Sequence, residues 1–208
     1  MKKILYFILL ASLIIGLVGC NNNDDKKDNK AKGDKTEQTQ NKGGVEKKNS
    51  EQALPDLPEQ KTVEMMLEGM PEDKVVKLYH HKELGFSTYV PDDMIVESNP
   101  KIFNVFANFS GTENKDATLK ITGQTEEDVT KDLQDNGFTL RKVETKAFDF
   151  ADKEFSLKKD RMIGHVAFFK HGDDDYTIYY YFPEEYEEGF GPRSDIIVNE
   201  IEWHDKKS

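Results

Sequence analysis

The chain has 208 residues, of which 36% are hydrophobic and 33% are charged, and its formal net charge at pH 7 is −11. So negative a chain is repelled by nucleic-acid phosphates and by anionic lipid head groups, which makes both poor partners. Its one cysteine is Cys20, so no disulfide can form within the chain, and the folded part must be held together by its hydrophobic core.

The first 19 residues have the pattern of a secretion signal. Residues 1–3 are cationic, and residues 4–18 form an uncharged apolar run, shorter than the about 20 residues of a membrane-spanning helix. Residues 17–20, Leu-Val-Gly-Cys, resemble the lipobox of bacterial lipoproteins. This resemblance implies transfer of a diacylglycerol to the sulfur of Cys20 and cleavage after Gly19. The alternative is an uncleaved anchor helix that happens to contain a cysteine.

A lipidated Cys20 would place the protein on the extracytoplasmic face of the cell membrane. The acyl groups on this residue make the lipid bilayer the first expected partner. Because the only thiol is then a thioether, a cysteine nucleophile and a thiolate metal site are both excluded.

Residues 20–60 are expected to be the lipidated cysteine followed by a disordered polar tether. The stretch after Cys20 contains almost no apolar residue and cannot bury enough surface to offset the loss of chain entropy. A coil of roughly 40 residues reaches on the order of 35 Å. The sequence therefore predicts a spacer that carries a single folded domain, residues 61–208, which holds 31 acidic and 19 basic side chains.

The folded domain begins with short alternating segments that predict strands. Residues 63–67 and 75–80 predict a hairpin with its turn at residues 69–73, and residues 86–90 predict the next strand, ended by Pro91. In residues 103–109 the apolar side chains at 103, 105, 107 and 109 share one face, with Asn104 and Asn108 on the other, as in a half-buried strand. Residues 118–122 predict its neighbour.

One helix has a clear start and a clear end. Thr125 precedes three acidic residues, as in a capping box, and Asn136 with Gly137 predicts the stop. Further strands are expected at residues 138–145, 154–158, 161–170 and 176–182, and the acidic run 173–175 predicts a hairpin turn. Residues 189–192, which contain two glycines and a proline, are expected to interrupt regular secondary structure before a C-terminal helix that includes Ile197 and Ile201.

These elements predict an α+β fold, with a curved antiparallel sheet and a few helices packed on one face. Residues 84–93, LGFSTYVPDD, resemble the opening strand of PsbP/Mog1-like domains, and the element order over residues 75–203 is similar. Met94 departs from the pattern, because such domains often have tryptophan there. The tether and lipobox resemble those of lipoproteins from Gram-positive bacteria. The resemblance implies binding rather than turnover, and it transfers no catalytic residue.

The sequence contains no recognisable catalytic or cofactor motif. No G-x-S-x-G element surrounds a serine, and neither a phosphate-binding loop nor H-E-x-x-H is present, so no nucleotide, metal or other cofactor is predicted. His80 and His81 are adjacent on a strand and must point to opposite faces. His165 is interpreted as a packed or solvated residue. A serine–histidine–aspartate site could still assemble in space.

The candidate partner-binding residues are four glutamates with two aromatic neighbours: Glu184, Glu185, Tyr186, Glu187, Glu188 and Phe190. Exposed charge beside aromatic anchors is typical of a docking surface for a basic partner. The alternative interpretation is a solvated acidic loop.

A tyrosine-rich strand is the other notable feature. Tyr180 and Phe182 should share one face with Ile178, while Tyr179 and Tyr181 take the other. The second face either lines a ligand groove or packs against Phe168 across the hairpin.

The sequence thus favours a non-enzymatic, membrane-anchored module that binds another envelope protein or an envelope component. A small-ligand or solute receptor is the first alternative, although such receptors usually need two lobes around a cleft. An envelope enzyme with an unrecognised site is the second.

Overall fold

The computed structural model describes residues 54–204. The predicted signal peptide, the lipidated Cys20 and most of the tether lie outside the described residues. Within residues 54–204, no helix is long and apolar enough to cross a membrane.

The described chain is mostly β-structure with two α-helices. Its strands are β1 (Gln60–Leu67), β2 (Met70–His81), β3 (Phe86–Pro91), β4 (Met94–Asn99), β5 (Ile102–Phe109), β6 (Thr112–Thr122), β7 (Thr139–Lys142), β8 (Lys153–Lys159), β9 (Met162–His171), β10 (Asp174–Pro183) and β11 (Glu202–Trp203). Helix α1 is Glu126–Asp135 and helix α2 is Glu187–Asn199, which follows a 3₁₀ turn at Glu184–Tyr186.

The strands form two antiparallel sheets instead of the single sheet that was expected. The smaller sheet has the order β1-β2-β3-β11, and the larger has the order β4-β5-β6-β10-β9-β8-β7. The broad α+β class predicted from the sequence is correct. Strand β4 was not predicted, because the acidic pair after Pro91 suggested an end to extended structure, whereas Met94–Asn99 pairs with β5.

The two helices lie on opposite faces of the larger sheet, which corrects the expectation that they share one face. Helix α2 buries Phe190 and Ile197 in the core that contains Ile178 of β10. Helix α1 buries Val129 and Leu133 on the other face of the sheet. Both faces of β10 carry large apolar side chains, so each face needs its own cover.

Several local predictions are confirmed. The hydroxyl of Thr125 accepts a hydrogen bond from the backbone N–H of Asp128, and α1 ends at Asp135 as expected. The first hairpin is present, but its turn is tighter than predicted. It consists of Glu68 and Gly69, with φ angles of 51° and 77°, the left-handed conformation of a two-residue hairpin turn.

Helix α2 contradicts the expected break at residues 189–192, because it continues through Pro192 to Asn199. A proline inside a helix costs about 3 kcal/mol. Contacts on both sides of it offset this cost. Phe190 is fully buried and packs on Phe182 with ring centroids 5.3 Å apart, and Arg193 donates from Nη1 to the Gly189 carbonyl oxygen at 2.6 Å.

The chain beyond α2 is extended instead of helical, so Ile201, which was expected in the C-terminal helix, lies after its end at Asn199. Strand β11 pairs with the start of β3, where Trp203 lies opposite Phe86. Helix α2 itself packs against β3 and β1, and it thereby contributes to the core between the two sheets.

Candidate functional site

The predicted acidic segment lies on the 3₁₀ turn and the first turn of α2. Its four glutamates are exposed, and Tyr186 is half-buried. Glu184 pairs with Lys158, and this hydrogen bond lowers the pKa of the Glu184 carboxyl. Glu185 pairs with Arg161 at 3.3 Å. About half of the segment's charge is therefore neutralised by its own chain.

Glu187 and Glu188 differ from the other two glutamates. Among residues 54–204 neither forms an ion pair, and both lie at the positive end of the α2 dipole, where carboxylates are favourable. Tyr186 beside them stacks on Phe109 with ring centroids 5.7 Å apart. A half-exposed ring is thus held in one orientation next to two unpaired carboxylates.

The structure corrects the prediction that Phe190 is one of the partner-binding residues. This side chain has 0% exposure and lies in the core between the sheets, so its ring is not available to a partner. The helix that begins at Glu187 turns Phe190 inward, whereas a loop, as expected from the sequence, could have left it on the surface.

The tyrosine-rich strand alternates as predicted. Ile178, Tyr180 and Phe182 face one core, while Tyr179 and Tyr181 face the other. The packing alternative for the second face is confirmed, and the ligand-binding alternative stays a prediction. Tyr179 packs in the cluster that contains Phe168, and Tyr179 and Tyr181 also line an open groove of about 440 Å³ beside α1.

Four of the five histidines lie near one end of the fold. His80 and His81 point to opposite faces of β2, as expected. Ser87 Oγ lies 2.6 Å from His80 Nδ1 and 2.6 Å from His204 Nε2. Because a hydroxyl has one proton, it donates to one imidazole and accepts from the other when both rings are neutral. Burial, and then the nearby His80, lower the pKa of His204.

This serine–histidine arrangement was missed from the sequence, since its members are far apart in the chain. It does not form an accessible nucleophile, because Ser87 has 0% exposure. A nucleophile has to come within contact distance of the substrate. The hydroxyl therefore links β2 and β3 to the end of the described chain.

A buried carboxylate–histidine pair was also missed. Glu154 has 2% exposure, and its carboxylate accepts hydrogen bonds from Ala147 N at 2.9 Å, Phe148 N at 3.1 Å and His165 Nδ1 at 2.9 Å. The His165 ring lies beside the Tyr180 ring, with the centroids 5.7 Å apart and the planes tilted by 31°. Burial raises the pKa of the Tyr180 hydroxyl. The sequence shows Glu154 only as a polar residue at a strand start.

The Glu154–His165 pair holds both the loop before β8 and the imidazole ring of His165 in place. The hydrogen bond between His165 Nδ1 and the carboxylate orients the imidazole ring. Within residues 54–204, no group of three histidine, cysteine or acidic side chains is arranged to hold a metal ion. The geometry is that of a structural clamp on the loop before β8.

Comparison with known proteins gives no family for this chain. No protein-family model matches it, and no curated protein sequence matches it significantly.

Proposed function

We propose that the chain is a lipid-anchored, extracytoplasmic module that binds another envelope protein through the acidic segment around Tyr186. The lipobox-like residues 17–20 support the location. The observation that carries the binding proposal is the pair Glu187 and Glu188, exposed and without ion pairs in residues 54–204, beside the fixed ring of Tyr186. A basic surface with an aromatic or aliphatic pocket is complementary to this arrangement.

The PsbP/Mog1-like fold is part of the same proposal. It is supported by the element order of paired strands, one capped helix, long aromatic strands and a C-terminal helix. The segment 84–93 that carries the resemblance runs through β3 into the turn before β4.

The binding proposal is tested by reversing the local charge. The double variant Glu187→Lys/Glu188→Lys is expected to lose a partner that wild type captures by cross-linking on intact cells, followed by identification of the adduct. The matched control is Glu113→Lys/Glu127→Lys, which changes the net charge equally at two exposed positions elsewhere. Equal capture by wild type and the 187/188 variant would contradict the proposal.

The lipid anchor has its own test. A Cys20→Ser precursor is expected to lack lipid and to be lost from the membrane fraction, because no other sulfur can accept the diacylglycerol at that position. A serine variant that is processed normally and stays membrane-bound would contradict the anchor.

A small-ligand receptor is a second candidate function. It is favoured by the groove of about 440 Å³ beside Tyr179 and Tyr181, which falls within the usual size of ligand sites.

A further inference from the structure

The groove beside α1 contains a lysine whose charge is not compensated by an ion pair. Lys120 is half-buried, and burial lowers the pKa of its ammonium group despite the nearby Asp132. In residues 54–204, no carboxylate lies within salt-bridge distance of its Nζ atom. The Nζ atom lies 5.6 Å from the centroid of the Tyr179 ring. This is near the outer limit of a cation–π contact, so little offsets the desolvation of the charge.

The floor of the groove is formed by the outer face of the larger sheet. Lys120 on β6 lies directly opposite Tyr179 on β10, and Thr118 lies opposite Tyr181. The floor continues across β9 to Lys159 on β8. Three strand spacings make it roughly 14 Å long.

The walls of the groove combine apolar surface with acceptors. Leu133 of α1, Phe138 and Met162 supply the apolar part. Asp116 and Asp132 supply two carboxylates. Lys159, at the far end of the floor, is a second cation, but its side chain is exposed and its charge stays hydrated, whereas Lys120 is half-buried. A small multiply charged anion fits this lining poorly, because the two aspartates repel it. A ligand that fits has one anionic group, N–H donors and an apolar body.

We propose that the groove binds a short peptide whose free C-terminal carboxylate pairs with Lys120. The N–H groups of the peptide, including its terminal ammonium group, face Asp116 and Asp132, and its side chains pack on Leu133, Phe138 and Met162. An extended tripeptide spans roughly 10 Å, which the groove floor accommodates. The site shares no residue with the acidic segment, so it does not depend on the proposed protein-binding function.

The test uses the dipeptide leucyl-leucine, its C-terminal amide and inorganic phosphate as probes, in NMR titrations of the folded protein. We expect leucyl-leucine to bind with shifts at Tyr179 and Tyr181. The amide is expected to bind at least roughly tenfold more weakly, because it lacks the carboxylate. Phosphate is expected to leave these signals unchanged.

A matched pair of variants assigns the contact to Lys120. Lys120→Met should weaken leucyl-leucine binding roughly tenfold or more. Lys115→Met is the control, because this lysine is on the same strand, is exposed and pairs with Glu97 outside the groove. The proposal is overturned by an absence of dipeptide binding up to about 10 mM. It is equally overturned if the amide binds as tightly as leucyl-leucine, or if a folded Lys120→Met variant binds leucyl-leucine as tightly as wild type does. Phosphate binding as tight as that of the dipeptide would also overturn it.

Discussion

Asp93 and Arg193, 100 residues apart in the sequence, form a two-pronged ion pair that joins the turn between β3 and β4 to helix α2. Arg193 donates from Nε to Oδ1 of Asp93 at 3.1 Å and from Nη2 to Oδ2 at 2.7 Å. Lys74 of β2 donates to the same carboxylate at 2.6 Å. Arg193 has 8% exposure, and its guanidinium lies 4.4 Å from the ring centroid of Phe109. The carboxylate thus compensates two cations, one of them buried.

Replacing Asp93 should destabilise the fold strongly. Asp93→Ala leaves the buried Arg193 without its counter-ion, which is expected to lower the free energy of unfolding by about 3 kcal/mol. The measurement is urea unfolding followed by circular dichroism. The control is Asp92→Ala, whose carboxylate is more exposed and, within residues 54–204, pairs with a single cation, Lys74, at 3.1 Å. A loss no larger for Asp93→Ala than for Asp92→Ala would contradict this account.

The same carboxylate should make stability depend on pH. Burial by itself raises the pKa of Asp93, but the hydrogen bonds and charges of Arg193 and Lys74 outweigh burial, so the pKa lies below its usual value. An aspartate in an unfolded chain titrates near pH 3.9, about the pKa of a model peptide. The stabilisation from Asp93 is therefore fully present above that pH and is lost as the pH falls through the lower folded-state pKa.

The comparison of wild type with Asp93→Asn checks this sign. The difference between their unfolding free energies should be constant near neutral pH and should shrink as the pH is lowered below about 4. A difference that grows on acidification, or one already lost at pH 6, would show that another group is responsible.

Removing the Glu154 carboxylate should release the loop before β8. Glu154→Ala leaves two backbone N–H groups and His165 Nδ1 without their acceptor, each a partly or fully buried donor. We expect a loss of about 2–4 kcal/mol in unfolding free energy. Hydrogen exchange at the amides of Ala147 and Phe148 should also become faster than in wild type.

The nearby Glu144→Ala variant is the control for that measurement, because Glu144 is exposed. Unchanged exchange at both amides in Glu154→Ala would contradict the assignment of Glu154 as the clamp on this loop.

Alanine variants of Phe190 and Tyr186 should differ in stability, because Phe190 lies in the core and Tyr186 is half-exposed. Phe190→Ala creates a cavity between the two sheets and should cost about 3–5 kcal/mol of stability. Tyr186→Ala removes a half-exposed ring that stacks on Phe109, and its effect on chemical denaturation should be clearly smaller. If the two losses were equal, or Tyr186 the larger, the inward placement of Phe190 would be wrong.

Local signals in the sequence predicted the local structure well. Thr125 and the acidic residues after it marked the start of α1, and alternation marked the faces of β5 and β10. These patterns depend on neighbours in the chain, which a single sequence displays. Strand β4 and the course of α2 through Pro192 depend instead on pairing with β5 and on burial of Phe190, and both need the rest of the fold.

The candidate sites also divide into those that local sequence reveals and those that only the fold brings together. The exposed glutamates were found because charge is concentrated in five consecutive residues. The Ser87 cluster joins residues 117 positions apart, and the groove around Lys120 combines β6, β8, β9, β10 and α1. No spacing rule brings such residues together before the sheet order is known.

The most direct test of the proposed docking function places a photo-crosslinking amino acid at Glu185 of the lipid-anchored protein in intact cells, which leaves Glu187 and Glu188 in place. The account predicts a specific adduct with another envelope protein, which is lost when Glu187→Lys/Glu188→Lys is added and which does not form when the crosslinker is at Glu127. The absence of any adduct at position 185, or the same adduct from position 127, would contradict it.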